Sequence, residues 1–291
     1  MENKQKINLI KQRDFSETFD VSFAFLKQNI GSILRGLVFS LPIIMVGLFL
    51  MQSGQSEFME SYANLGAMSD PTEIWSLYAK MFTPIAIIGY IFLFLGGMIM
   101  ALYPLCYVIL YVRSENGNIS QSEVWNLVKK VFLPLTVCHI IFGFILNLGF
   151  LLCIIPGIIV GIYLAFFPYT YAAENSSITE CFSRSAKLVK GNWWITFLIV
   201  LITIFLLAII YMITAIPSFM TGFAGALGLS AFSNPIAVYI TSLIPYLGSL
   251  FTTPFFVIII GAMYYSRIAE TGTEPMEQFI ENIGTKDNQS L

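Results

Sequence analysis

Charge is what this chain lacks most. Only 11% of its 291 residues are Asp, Glu, Lys or Arg, and 57% are apolar, whereas an ordinary water-soluble domain is about one quarter charged. That deficit excludes a single large soluble globule. Histidine is scarcer still, His139 being the one copy. A Ser–His hydrolase would have to use it, yet no serine in a nucleophile-elbow pattern accompanies it, and HExxH and phosphate-cradling glycine loops are missing too. The four cysteines, Cys106, Cys138, Cys153 and Cys181, form no CxxC and no Cys/His cluster, so we expect no disulfide, no zinc and no iron–sulfur centre. A net charge of −2 without long basic runs argues against nucleic acid, which needs a concentrated positive face. The stretch 1–29 is charged and amphipathic and holds no apolar core ahead of a small-residue cleavage site, so no secretory signal peptide is expected.

What is present is hydrocarbon. The mean hydropathy is +0.77, and the apolar residues fall into runs of about 20 or more, enough to cross roughly 30 Å of bilayer at about 1.5 Å per residue. We read six spans, 30–52, 81–112, 131–154, 157–173, 193–216 and 236–265, and hence an all-α polytopic membrane helix bundle. Lys and Arg near spans are retained on the cytoplasmic side. Lys4, Lys6, Lys11, Arg13, Lys27, Arg113, Lys129, Lys130, Arg184, Lys187, Lys190, Arg267 and Lys286 fall in the two ends and the even-numbered connections, and only Lys80 falls in an odd-numbered one. The expected topology is therefore N-in, C-in, in a cytoplasmic (inner) membrane. It consists of an amphipathic segment 1–29, a six-helix domain 30–265 and a cytoplasmic tail 266–291. Arg35, just inside span one, reads as a side chain snorkelling to the interface.

Three cytoplasmic segments open alike, with a capping residue three positions before Glu: Asp14/Glu17, Ser120/Glu123 and Ser177/Glu180. Five residues beyond each cap stands an aromatic, Phe19, Trp125 or Phe182, and lysines come after it, among them Lys27, Lys129, Lys187 and Lys190. The first and third copies also match without a gap, Phe15, Ser16, Ser22, Leu26, Lys27 and Asn29 against Ile178, Thr179, Ser185, Val189, Lys190 and Asn192. Each copy leads into a pair of spans, and the second span of each pair carries Pro104-Leu105, Pro168-Tyr169 or Pro254-Phe255. The pattern predicts three parallel helix-plus-hairpin repeats. Phe15, Phe19, Phe23, Leu26 and Ile30 form one helical stripe, so we expect the first of these helices to lie along the cytoplasmic interface.

Outside the spans, Asp70-Pro71 and Glu73 read as a helix start beyond the acidic residues Glu57 and Glu60, and Trp75 and Tyr78 suit the membrane interface. Pro156-Gly157 reads as a tight turn between spans three and four, and Gly222, Gly225 and Gly228 as a flexible or re-entrant connection.

Intramembrane catalysis normally leaves ionisable residues in the spans. No Asp or Glu lies well inside any of them, so we expect no catalytic residues, no metal, no cofactor and no enzyme. The candidate polar sites are His139 and Asn147, which share a face of span three with Gly143, and Ser242, Tyr246, Ser249 and Thr253, which run along a face of span six interrupted by Pro245 and Pro254. Two readings of each face stand: hydrogen bonding between packed helices, or the wall of a cavity. Gly157, Gly161 and Ala165 form a small-residue stripe on span four that favours close helix approach.

Pro156-Gly157, the aromatic-rich run to Pro168, Glu174, Ser185 through Lys190-Gly191-Asn192-Trp193, and the close Tyr264-Tyr265-Ser266-Arg267 resemble the membrane domain of bacterial glycerophosphodiester phosphodiesterases and related uncharacterised six-helix membrane proteins. The resemblance implies their architecture. Those phosphodiesterases carry a separate soluble catalytic domain for which the stretch after Arg267 has no room, so no phosphodiesterase activity is carried over. The leading expectation is a non-enzymatic membrane module that scaffolds a protein partner at the cytoplasmic face, through Phe19, Trp125, Phe182 and the lysines beside them, or that binds membrane lipids. The rival is a small-solute or lipid transporter using the polar faces of spans three and six. In the tail, 275–280 reads as a short docking helix or as part of a disordered end.

Overall fold

The computed structural model describes residues 5–55, 58, 71–227, 229 and 234–272. Glu57, Glu60, Asp70, Gly228 and the segment 275–280 lie outside the described residues, as do the side chains of 71–74. Ten α-helices and no strand are present among the described residues: α1 Phe15–Leu37, α2 Leu41–Gly54, α3 Pro71–Ala79, α4 Pro84–Arg113, α5 Gln121–Leu152, α6 Ile154–Tyr163, α7 Phe167–Glu174, α8 Ile178–Val189, α9 Trp193–Ala226 and α10 Pro235–Thr271. Six stretches are long and apolar enough to cross a membrane: Phe15–Gly54, Pro84–Arg113, Gln121–Leu152, Ile154–Glu174, Trp193–Gly225 and Pro235–Thr271. By length and composition the chain is a multi-pass membrane protein.

The helix starts come from local chemistry. All three caps close as reciprocal pairs. Glu17 N–H donates to Asp14 Oδ1 at 2.8 Å while Asp14 N–H returns to Glu17, and Ser120/Glu123 and Ser177/Glu180 form complete capping boxes. Each box satisfies two N–H groups that the first turn leaves orphaned. The helices that these boxes open differ in length and fate. The first and second run straight on into a span, α1 without a break at residue 30 and α5 without a break at residue 131. The helix expected along the interface is thus the first part of α1. Only the third box heads a separate helix, α8, because Val189 to Asn192 turns the chain: Asn192 N–H bonds the Val189 carbonyl at 3.0 Å and Gly191 takes φ +92°, a left-handed position that costs glycine little.

Two expected breaks sit elsewhere. The turn predicted at Pro156-Gly157 is made one turn earlier, by Cys153 in extended backbone (φ −174°, ψ 151°) between α5 and α6. Pro156 then occupies the first turn of α6, where its missing N–H forfeits nothing. Gly149 and Gly157 meet there, since a Cβ on Gly149 would come within 2.8 Å of the Gly157 Cα. Span six is not broken at Pro245 or Pro254, and α10 is continuous over 37 residues. Pro245 removes the donor for the Thr241 carbonyl, and the Ser218 hydroxyl of α9 replaces it at 2.7 Å.

The chain divides into two compact units, Met1–Ile33 with Ala101–Phe205 and Pro254–Leu291, and Leu34–Met100 with Leu206–Thr253. In the first, the core is aromatic: Phe25, Tyr103, Tyr111, Phe166, Tyr169 and Tyr264 are all fully buried. Between helices in lipid no hydrophobic force operates, so contact area and hydrogen bonds hold such a core. In the second, α2 and α4 approach through glycine. A Cβ on Gly47 would stand 2.9 Å from the Leu93 nitrogen, and one on Gly54 or Gly89 would strike the facing backbone of Ala86 or Met51.

Candidate functional site

The first unit holds a cavity of about 500 Å³ between α5, α6, the α6–α7 junction, α9 and α10. Its wall is hydrocarbon from Phe142, Ile158, Phe167, Leu201, Ile204 and Phe256 among others, and His139 is the one ionisable residue in it. Gly157, Gly161 and Ala165, the small-residue stripe, line it as well. The stripe therefore has two consequences: Gly157 admits the Phe150 ring close to its Cα, and absent side chains leave space open.

His139 is anchored from its own helix. Nδ1 lies 2.7 Å from the Leu135 carbonyl and the ring meets the Phe167 ring edge-on with centroids 4.8 Å apart. Asn147 does not join it: that side chain is exposed and donates to the Gly143 carbonyl at 2.8 Å. Among the described residues no group of three or more His, Cys, Asp or Glu stands close enough to hold a metal ion.

The span-six residues belong to the second unit and line a different, smaller cavity of about 270 Å³. Tyr246, Ser249 and Thr253 contribute to it, with Gly97, Met100 and Tyr211. Ser242 does not line it and donates to the Val238 carbonyl at 2.7 Å. The Ser249 hydroxyl is likewise engaged by the Tyr246 carbonyl at 2.6 Å. His139 of span three and Tyr246, Ser249 and Thr253 of span six thus line separate cavities, and Asn147 and Ser242 line neither.

The residues expected at the cytoplasmic face divide by type. Phe19, Trp125 and Phe182 are half-buried and taken up in packing, against Phe15 at 5.1 Å, Tyr103 at 5.3 Å and Phe167 at 5.2 Å. Lys27, Lys129, Lys187 and Lys190 are exposed.

Four of the motif residues behind the resemblance, Glu174, Ser185, Tyr264 and Ser266, make polar contacts between elements of the first unit. Glu174, at the end of α7, pairs with Arg184 of α8 at 3.0 Å and accepts a hydrogen bond from the Tyr264 hydroxyl at 2.9 Å. Arg113 donates to the Ala173 carbonyl at 2.9 Å, satisfying an end of α7 that closes at Asn175 in the left-handed region (φ +51°). Ser185 bridges the gap between α6 and α7, accepting from Phe166 N–H at 3.0 Å and donating to the Tyr163 carbonyl at 2.9 Å. Ser266 accepts from Arg13 N–H at 2.9 Å, and Lys6 donates to the Val112 and Ser114 carbonyls at 3.0 and 2.6 Å, so the N-terminal segment caps α4. Tyr169 donates to the Val257 carbonyl at 2.8 Å and leaves no room for a side chain at Gly261. Sequence reasoning named several of these residues but not their convergence, which is a fact of packing.

This fold defines a membrane protein of six apolar helices with an apolar cavity and a half-buried Glu–Arg–Tyr network. The chain belongs to the family described as a domain of unknown function, DUF7847, whose match covers residues 86–268. No curated protein and no solved structure matches it.

Proposed function

We propose that this protein is a non-enzymatic, lipid-interacting membrane module that holds the apolar chain of a lipid in the cavity of its first unit. The observation that carries this reading is the wall of that cavity: about 500 Å³ of space whose lining side chains are hydrocarbon apart from His139, which is the size and polarity of a site for a small apolar ligand. Basic residues gathered at the ends and the even-numbered connections support an N-in, C-in orientation in a cytoplasmic membrane. The exposed Lys27, Lys129, Lys187 and Lys190 are then available to meet anionic headgroups or an acidic partner at that face. The likeness to the membrane domain of glycerophosphodiester phosphodiesterases enters as architecture, without their chemistry.

The test is native mass spectrometry of the protein purified in mild detergent. Wild type is expected to retain lipid, and Ile204→Trp, which fills the cavity, to lose most of it with its fold intact. Absence of bound lipid from the wild type, or equal retention by the filled variant, would overturn the reading.

A transporter is the second reading, favoured by the grouping of Tyr246, Ser249 and Thr253 around the cavity of the second unit. Ser249→Ala and Thr253→Ala should then abolish solute or lipid flux in proteoliposomes without altering lipid retention in the first unit.

A further inference from the structure

The polar groups along the larger cavity are all of one kind. A carbonyl oxygen only accepts, so the 2.7 Å contact between His139 Nδ1 and the Leu135 carbonyl places the ring proton on Nδ1. No carboxylate lines the cavity to balance an imidazolium, and a charge there would be costly. The neutral ring presents Nε2 as an acceptor. Nε2 has no hydrogen-bond partner among the described residues, and it is not sealed off by surrounding atoms.

The break between α6 and α7 adds two more acceptors. Leu164 N–H returns to Val160 and Ala165 N–H to Ile162, so the Gly161 carbonyl is passed over. Pro168 has no N–H, and Tyr169 N–H returns to Phe166, so the Ala165 carbonyl is passed over as well. Gly161 and Ala165 both line the cavity. Backbone acceptors left open at membrane depth are tolerated where they border a cavity.

Acceptors without a donor or a charge discriminate between head groups. A phosphate or carboxylate brings only lone pairs and negative charge, and finds nothing here to donate to it. A quaternary ammonium has no N–H to give. A hydroxyl supplies the missing donor and adds no charge. Resting on the reading of this cavity as a lipid site, we propose that it selects a neutral lipid carrying a free hydroxyl, of the diacylglycerol class, whose O–H donates to His139 Nε2.

Three probes decide this, each titrated into the purified protein in nanodiscs: 1,2-dioleoylglycerol, the same lipid with its hydroxyl acetylated, and dioleoyl phosphatidic acid. The free hydroxyl should improve binding about tenfold over the acetylated form, the value of one hydrogen bond at a buried acceptor, and phosphatidic acid should bind weakest. His139→Phe should bind the two neutral lipids equally, and His139→Gln, which keeps an acceptor, should retain part of the preference. Equal binding of the two neutral lipids by wild type, or tighter binding of phosphatidic acid, overturns the hydroxyl assignment and leaves the lipid site standing. Failure of all three probes to bind removes the lipid site itself. The wild-type comparison is decisive even where a His139 variant does not fold.

Discussion

Replacing Glu174 separates the two contacts that this carboxylate makes. Its side chain is 15% exposed and that of Arg184 29% exposed, whereas Tyr264, the third partner, is fully buried. Glu174→Gln keeps an oxygen for the Tyr264 hydroxyl and loses the ion pair, which partial exposure limits to about 1 kcal/mol. Glu174→Ala loses the pair and also strands a buried hydroxyl, at a cost of about 1–3 kcal/mol more, for a total of about 2–4 kcal/mol. The protein carries its own reporter, since Cys106, Cys138 and Cys181 are buried free thiols that a fluorogenic maleimide reaches only on unfolding. With the exposed Cys153 changed to Ser, melting in mild detergent should rank wild type above Glu174→Gln and Glu174→Ala lowest, by several degrees. Tyr264→Phe should shrink the gap between the two Glu174 variants. An alanine variant that melts with the wild type, or a glutamine variant as damaged as alanine, would refute the assignment of the larger share to the stranded hydroxyl.

Three other outcomes rest on particular contacts. Under the proposed N-in, C-in orientation, Cys153 of the folded protein should react with an impermeant maleimide from outside the cell while the other three thiols stay silent even in mildly alkaline buffer, burial having pushed Cys181 up to about 12; labelling of Cys153 only from the cytoplasmic side would overturn that proposal. The Ser177 backbone N–H and hydroxyl hold the Glu180 carboxyl below its ordinary range. Because the folded value is depressed, the stabilisation is present above the unfolded value of about 4.3 and is lost as pH falls through the folded one, so the protection of the α8 amides, measured against their intrinsic exchange rate at each pH, should fall on acidification, and Ser177→Ala should flatten that response. Gly261→Ala should destabilise the protein by about 1–3 kcal/mol through overpacking against Tyr169, measurable in the same thiol-dye melt, and a neutral result would show that the ring moves aside freely.

The spans were legible because hydrocarbon length is a one-dimensional property: about twenty apolar residues cross a bilayer whatever surrounds them, and each of the six predicted segments overlies a different one of the six apolar stretches. The three caps were legible for a similar reason, since a capping box needs only residues three apart. The same local logic failed where a partner decides. Matched positions Ser22 and Ser185 do different things: Ser22 bonds the Thr18 carbonyl of its own helix, and Ser185 closes the gap between two others. The expected break at Pro245 is healed by Ser218, 27 residues earlier in the sequence, which no local pattern announces.

His139 stands out in the sequence as the single histidine in a span, but its setting does not emerge from spacing. Asn147, on the same helical face, is exposed to the surroundings, whereas His139 borders a cavity whose other walls come from helices far along the chain. The order of apolar and basic residues alone determined that this is a six-span membrane helix protein, because the free energy of transfer into lipid accumulates residue by residue. Tertiary structure alone decided which small residues close a helix contact and which leave a void, which hydroxyls serve their own backbone, and where Glu174 meets Arg184 and Tyr264, because those outcomes depend on distances between segments that the sequence keeps apart.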